Sequence, residues 1–395
     1  MRTTIWDVAV VGAGMAGLVC GRSLQTAGYG VVVLEKSRGF GGRMATRRLQ
    51  DIRADHGTPY LTIEDSLADL TETLTKQGCL HPWSRRHYQL SATGELTISP
   101  APKVAIAPSG INSVGKFLAE GLTVYRQQRV VTLRPTDRQT WRLSCDGPQP
   151  AQSLSVQSLG GQSLDGLSLG KQSLGKQSPN DQSPELEARA VVLAIPAPQA
   201  LPLIRTVSPT SAALEDLTAA LNTVAYDPCL TVMAGYGDRP TPPSKNSDKN
   251  IDDDSGWTVE STEHPTLRWI GLDSSKRTVS ASSAAGPSVV VTHSSPAFAA
   301  QNFDAPNLHL IGAELVSAAA ESVPALANPD WAQVHRWRYA FAQQPYTRPY
   351  LISAEPLPLF CCGDWCQGAT VGAALQSGLA TADAFKRHIN ISNRQ

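Results

Sequence analysis

The stretch Asp7-Val8-Ala9-Val10-Val11-Gly12-Ala13-Gly14-Met15-Ala16-Gly17, with Val31-Val32-Val33-Leu34-Glu35 after it, decides the fold. A short apolar run that stops at a glycine reads as a buried strand. From Met15 to Ala27 the pattern suits a helix, and Gly28 stops it, because glycine accepts the left-handed conformation just past a helix end. Val31 to Glu35 is a second buried strand. Strand, turn, helix and strand in this order open a βαβ unit with a parallel sheet.

Gly12-Ala13-Gly14-Met15-Ala16-Gly17 matches G-x-G-x-x-G and stands between a strand and a helix, the context that makes the string a dinucleotide fingerprint. Gly12 permits the tight turn, Gly14 lets a pyrophosphate approach the backbone, and Gly17 lets helix and strand pack closely. The helix N-terminus offers free N–H groups and a positive dipole end to phosphates. The Glu35 carboxylate can accept hydrogen bonds from ribose hydroxyls.

Beyond Glu35, Lys36-Ser37-Arg38-Gly39-Phe40-Gly41-Gly42-Arg43-Met44 is a basic, glycine-rich loop that would bring Arg43 to the same pyrophosphate. Far along the chain, Cys362-Gly363-Asp364-Trp365 precedes a helix candidate at Val371 to His388. A strand-end Gly-Asp followed by a helix N-terminus suits the ribityl chain and pyrimidine end of a flavin, whose anionic ring gains from the positive helix end. An ordinary NAD dehydrogenase has no use for this distant second contact. The sequence therefore points to FAD. No second G-x-G-x-x-G exists, so any nicotinamide partner must bind in a substrate cleft.

The chain carries 34 basic and 34 acidic side chains, a balance that gives no reason to expect nucleic acid or an anionic membrane as partner. No apolar run reaches the roughly 20 residues of a membrane-spanning helix. The N-terminus passes directly into a strand and leaves no room for a signal peptide. Seven cysteines, an odd number spread along the chain, suit free thiols and a cytoplasmic enzyme.

Between Ala151 and Pro184, Gln-Ser recurs in a low-complexity array that reads as a disordered surface insertion, with a small β-solenoid as the alternative. Trp141 to Cys145 and Ala190 to Ala194 on either side read as strands, so the array would decorate a hairpin tip, where added length costs little. A second polar insert spans 238–255. Pro209 to Asn222 looks helical, while Trp257 to Gly271 and Ser288 to Thr292 look like strands of a second lobe. Pro329 to Val334 would end a helix-like stretch, and Trp337 to Phe341 resembles a strand.

Several separated strings together make the chain resemble a renalase-type member of the flavin amine oxidase superfamily. They are the Gly12–Gly17 turn, Glu35-Lys36-Ser37-Arg38 with Gly41-Gly42-Arg43-Met44, Ala107-Pro108-Ser109-Gly110-Ile111 and Asp273-Ser274-Ser275-Lys276-Arg277. Gly286-Pro287-Ser288, His335-Arg336-Trp337-Arg338-Tyr339 and Cys362-Gly363-Asp364-Trp365-Cys366 complete the set. The resemblance implies an α/β fold: a Rossmann-type FAD-binding domain with a second, mixed-sheet substrate domain, in an amine oxidase or p-hydroxybenzoate hydroxylase-like topology. Residues 1–60, 101–200 and 353–395 would form the first domain, and 61–100 with 201–352 the second. FAD would be held non-covalently.

The resemblance also implies roles. Ala13, Gly14 and Met15, next to Ala16 in the turn, would line the phosphates. Glu35, beside Lys36, would hold the adenosine ribose, and Arg43, between Gly42 and Met44, the phosphates. Pro59 and Tyr60 would contact FAD after Asp55-His56-Gly57, and Val130 would meet the adenine. Asp364 would hold the ribityl or phosphate region, and Val371, Gly372 and Ala373 the pyrimidine edge. His293 and Trp337 would flank the flavin ring. The chain departs from the family at 370–373, where Arg-Val-Glu-Gly is common, and at Pro59, where Gln is common.

Renalase-type enzymes oxidise isomeric dihydronicotinamide dinucleotides to NAD(P) by hydride transfer to flavin, and oxygen or another acceptor reoxidises it. Such chemistry needs a flat slot over the flavin rather than an acid–base pair. This suits a sequence with no catalytic triad or carboxylate-pair signature. Trp337 and Trp365 could wall the slot, and Lys276, Arg277 and Arg268 could meet the substrate's phosphates. Cys361, Cys362 and Cys366 lack the companions of a metal site, so no metal is expected. The competing readings are an amine oxidase or related flavin desaturase, and a non-catalytic flavin-binding scaffold that recruits a partner through the Gln-Ser array.

Overall fold

A computed structural model describes residues 4–49, 52–148, 185–241, 256–277 and 287–392. The Gln-Ser array, most of the 238–255 insert and Gly286 lie outside the described residues. The chain begins β1 (Ile5–Val11), α1 (Met15–Thr26), β2 (Val31–Glu35), β3 (Thr46–Leu49), β4 (Ile52–Asp55), β5 (Leu61–Thr62), α2 (Ala68–Lys76), β6 (His81–Pro82), β7 (Arg85–Leu90) and β8 (Leu96–Ile98). It continues through β9 (Val104–Ile106), α3 (Asn112–Ala119), β10 (Thr123–Arg126), β11 (Arg129–Pro135), β12 (Trp141–Asp146), β13 (Glu185–Leu193), α4 (Ala197–Ile204) and α5 (Ala212–Asn222). Then come β14 (Ala225–Tyr236), β15 (Gly256–Glu260), β16 (Leu267–Leu272), β17 (Ser288–Ser294), α6 (Pro296–Asn302), α7 (Leu308–Ser322), β18 (Trp331–Gln344), β19 (Leu351–Ser353), β20 (Leu359–Cys361) and α8 (Val371–Ser392).

The first sheet runs β10-β2-β1-β13, with β20 parallel on the far side of β13. The all-valine core of β2 is buried on both faces, as a parallel strand between helix layers requires. Its α1, α3 and α8 face forms one apolar cluster, and its α4 and α5 face another. Strands β12 and β13 pair antiparallel, Trp141 opposite Ala188, as the hairpin reading expects. Only the first half of β13 does so. Val191 to Leu193 pair in parallel with β1 and β20, which places that half in the centre of the sheet.

The second sheet has the order β18-β14-β17-β16-β15-β7-β8 and is mixed. Period-two alternation splits its faces. Leu230, Val232 and Val290 turn towards α6 and α7. Met233, Trp269, Val289 and Val291 turn towards the β3–β4 hairpin, where Ala54 and Trp83 join them. The helix expected to end within Pro329–Val334 is not found there. That segment opens the 14-residue strand β18, whose pairing along β14 outweighs local helical pattern. The helix lies upstream as α7, capped by the Asn307 side chain on the amides of His309 and Leu310. Among the described residues, no helix is long and apolar enough to cross a membrane.

Candidate active site

The Gly12 turn has the geometry its sequence requires. Gly12 takes a φ of +107°, and a Cβ on it would lie 2.5 Å from the Ala194 carbonyl oxygen. A Cβ on Gly17 would lie 2.0 Å from the Gly12 oxygen, so helix and turn meet backbone to backbone. Around Gly14 nothing lies within 4 Å of a Cβ position, and α1 begins there without a side-chain cap or a first-turn acid. The first-turn amide of Ala16 is thus open to an anion, while that of Met15 faces the Gly41 carbonyl across a parallel bridge of the two glycine loops.

Glu35 is buried at the end of β2. Its carboxylate accepts hydrogen bonds from the amides of Ala13 (2.8 Å) and Ser37 (2.7 Å). Ala13, read from the sequence as a phosphate contact, therefore commits its N–H to Glu35. The Gln128 amide donates to the Glu35 carbonyl, so β11, with buried Val130, starts beside this carboxylate. Lys36 reaches Gln199 at 3.0 Å, and burial lowers its pKa. The second glycine loop lies against the first: the Gly41 amide donates to the Ala13 carbonyl, and a Cβ on Gly42 would sit 3.4 Å from the Gly14 Cα. Met44 is buried in the core behind it.

Arg43, read as a phosphate ligand, instead forms a two-pronged ion pair with Asp364, at 2.7 and 2.5 Å, and also donates to the carbonyls of Tyr339 and Ala340. Burial works against its charge, but the carboxylate outweighs burial and raises its pKa. Asp364, buried at the end of β20, needs that counter-charge, which ties the glycine loop to the start of α8. A Cβ on Gly378 would lie 2.4 Å from the Ala16 oxygen, so α1 and α8 touch backbone to backbone. Both helices start beyond the carboxyl ends of parallel strands, the edge where open α/β sheets bind ligands. At the head of α8 the Thr370 hydroxyl caps the Ala373 amide, next to Val371 and Gly372.

A row of rings faces this edge. Across the second sheet, His335, Thr231, His293 and Trp269 are successive partners on β18, β14, β17 and β16. Trp337 lies two residues from His335 and so on the same face. A Cβ on Gly57 would lie 1.9 Å from the Arg43 oxygen and 3.3 Å from the Trp337 ring, which joins the row to the glycine loop. Trp337 Nε1 donates to the His56 carbonyl at 3.0 Å, and its ring stacks on His56 with centroids 5.3 Å apart. His335 packs edge-on against both. His293 lies 5.2 Å from Trp269, centroid to centroid.

His293 and His56 are buried, and the structure leaves His293 Nε2 and His56 Nδ1 without partners. Burial, then the nearby cations Lys276 and Arg268, push His293 down to about 3. Burial, then His335 and Arg47, push His56 down to about 4. Burial and Arg47 also lower His335. The face is therefore lined by neutral imidazoles.

Tyr60 lies 6.1 Å from Trp83 and 6.3 Å from Trp269, ring to ring. The Pro59 carbonyl accepts from Lys276 Nζ at 2.6 Å. Lys276 and Arg277, expected near substrate phosphates, are instead committed inside the protein. Fully buried Lys276 pairs with Asp273 (2.6 Å) and Asp55 (3.5 Å), and Arg277 with the same two carboxylates. Burial opposes the charge on Asp273, but Arg277 and Lys276 hold its carboxyl below the usual range. Asp55 also accepts from the Thr46 hydroxyl and the Ile111 amide, so the cluster pins the β3–β4 hairpin to the second sheet. Arg268 stacks over Phe341. Trp365, expected as a wall of the slot, is a core residue: fully buried, it donates to the Ile195 carbonyl.

All seven cysteines are free thiols. Burial pushes Cys145 and Cys229 up to about 11 and Cys20 and Cys366 up to about 12. It raises Cys79, Cys361 and Cys362 as well. Among the described residues, no three His, Cys, Asp or Glu converge to hold a metal.

Sequence reading missed His56, His335 and Trp269 as site residues. The spacing Gln333-x-His335-x-Trp337 carried a signal, since alternate strand positions share a face. Trp269 had none, because only the strand order places it beside His293.

The open Gly14 turn, the buried Glu35 carboxylate and a facing wall with unpaired ring nitrogens fit a flavin dinucleotide, and together they define a two-lobed dinucleotide-dependent oxidoreductase. Residues 10–73 match the NAD(P)-binding Rossmann-like domain, and residues 163–385 match the flavin containing amine oxidoreductase family. The chain belongs to that family, and FAD, held non-covalently, is its cofactor.

A Mycobacterium tuberculosis (strain H37Rv) protein provisionally named as the flavin-containing monoamine oxidase AofH is 32% identical over 113 residues. The match covers 28% of this chain and 24% of the relative, so the chain spans about a quarter of the relative's length. A putrescine oxidase solved with bound putrescine superposes with a TM-score of 0.65 at 14% identity, covering 98% of this chain and 100% of the other. Cyclohexylamine oxidase from Brevibacterium oxydans IH-35A gives 0.63 at 12%, with the same coverage. At these identities the likeness is one of fold.

Proposed function

We propose that this flavoprotein is a renalase-type oxidase: it oxidises an isomeric dihydronicotinamide dinucleotide to NAD(P), and oxygen or another acceptor then takes the electrons. The FAD in this reading runs from Glu35 and Val130 at the adenosine end, over Gly14 and the first turn of α1. It then passes Arg43 and Asp364 to Val371, Gly372 and Ala373 at the pyrimidine end. In the same reading Pro59 and Tyr60 contact the FAD, and the enzyme is cytoplasmic.

One observation carries the substrate reading: the facing wall is made of neutral imidazoles, and His293 Nε2 is buried without a partner. A buried, unpaired ring nitrogen is costly and calls for a ligand group to complete it. A nicotinamide carboxamide can donate or accept, so it suits either tautomer of His293. The His56 carbonyl fixes the indole of Trp337, which presets a flat surface for ring stacking. Bound flavin supplies the hydride acceptor. No protein group has to move a proton for that transfer, and imidazoles with pKa values of about 3 and 4 hold none to give at neutral pH.

Arg47 and Arg268, which help to depress these imidazoles, leave the wall tolerant of a substrate carrying phosphates. The second reading is an amine oxidase. The names of the relative and of the superposed structures favour it, as do the Trp269 and Trp337 rings.

Anaerobic mixing separates the two. Borohydride-treated NAD should bleach the flavin absorbance rapidly, while putrescine and cyclohexylamine leave it yellow. Bleaching by the amines alone would transfer the assignment to the second reading.

A further inference from the structure

Gly372 lies in the first turn of α8, and its lack of a side chain has a specific use. A Cβ there would sit 1.9 Å from Glu64 Oε1 and 2.2 Å from Ser66 Oγ. The Glu64 carboxylate thus fills the space that a side chain at position 372 would take. It is held there, since the Ser66 hydroxyl donates to Glu64 Oε1 at 2.9 Å. One turn further along α8, Gln376 donates to the Ser66 carbonyl at 3.3 Å. Half-buried Glu64 has no salt-bridge partner among the described residues, so its charge acts on the helix end unneutralised. Two independent features therefore bring a carboxylate onto this turn: a residue without a side chain, and a hydroxyl that orients the acid.

We infer that Glu64 is a positioning residue for the flavin: its carboxylate, seated against Gly372, offsets the positive end of α8 and lowers the reduction potential of the FAD. The inference rests on the proposed placement of the pyrimidine end at Val371, Gly372 and Ala373. Two-electron reduction with uptake of one proton leaves the flavin ring anionic. A fixed negative charge beside the same helix end opposes that change. The cofactor is thereby tuned against weak donors, a setting that a strong hydride donor such as a dihydronicotinamide tolerates.

The test is the potential of the FAD-loaded protein, read against a redox dye during slow reduction by xanthine and xanthine oxidase. Glu64→Gln keeps the shape and removes the charge, and should shift the equilibrium about tenfold towards reduced flavin. Glu64→Ala combined with Gly372→Glu returns a carboxylate to the same turn from the helix itself, and should restore the wild-type equilibrium to within about twofold. A Glu64→Gln protein that binds FAD fully and keeps the wild-type potential overturns the inference. Val371→Glu tells which premise failed. If it lowers the potential while Glu64→Gln does nothing, the flavin placement stands and the role of Glu64 falls. If neither variant moves the potential, the placement falls and takes the inference with it.

Discussion

The Gly12 turn and the ring wall of the second sheet meet at one cleft but arise by opposite routes. The turn is local: within a few residues, Gly12 and Gly17 each meet a backbone constraint that a side chain would break, and Gly14 leaves open space between them. The wall is assembled from strands that are distant in sequence. His335, His293 and Trp269 become neighbours only because β18, β14, β17 and β16 adopt one register. A local site fails all at once when its backbone is blocked. An assembled one should lose function gradually while the fold persists.

The strongest attack on this contrast is Gly12→Val. A branched side chain at a φ of +107°, with the Ala194 oxygen 2.5 Å from its Cβ, should leave the purified protein colourless; a yellow protein with full FAD content would show that the turn is not the anchor. Next is Lys276→Met, at the joint between the regions. It leaves Asp55 and Asp273 with half-buried Arg277 as their ion-pair partner among the described residues, and urea unfolding should show a loss of about 3–5 kcal/mol.

His293→Phe tests the wall itself. FAD content should hold while kcat/KM for the dihydronicotinamide substrate falls about ten- to a hundredfold, the effect of one buried hydrogen bond.

A subtler effect is in acid. The folded-state pKa values of His293 and His56, about 3 and about 4, lie below the ordinary 6.5. Between those limits the unfolded chain binds more protons, so stability is fully present above pH 6.5 and falls as pH drops towards 4. His293→Phe should flatten that slope by about one proton in urea titrations repeated at several pH values. The smallest effect belongs to deletion of 151–184 between β12 and β13. It should leave turnover unchanged and alter stability by less than about 1 kcal/mol, since loop-closure entropy varies slowly with length.

The same contrast explains what was legible in the sequence. The βαβ opening is legible because apolar runs and glycines fix it, and α8 because its Ala- and Leu-rich run from Val371 favours a helix. The resemblance names His293 and Trp337, but no segment of sequence points to their ring neighbours His56 and Trp269, because a shared sheet face depends on register that no single segment encodes. The glycine-rich loop points to Arg43 as a phosphate ligand, and Lys276 reads as either a phosphate contact or solvated surface charge. Both turned inward, because the buried carboxylates Asp364, Asp55 and Asp273 need cations more than solvent does. The helix-like stretch ends earlier than its local pattern suggests, as α7, because pairing along β14 makes Trp331 onward the strand β18.

The raised thiol pKa values have a consequence for durability. A flavoprotein that hands electrons to oxygen releases hydrogen peroxide within its own cleft, and peroxide attacks thiolates, not thiols. With Cys20 and Cys366 at about 12 and Cys145 and Cys229 at about 11, almost none of these sulfurs is ionised at neutral pH. Under the proposed reading, with oxygen as the acceptor, these four thiols are poor targets for the peroxide that turnover releases.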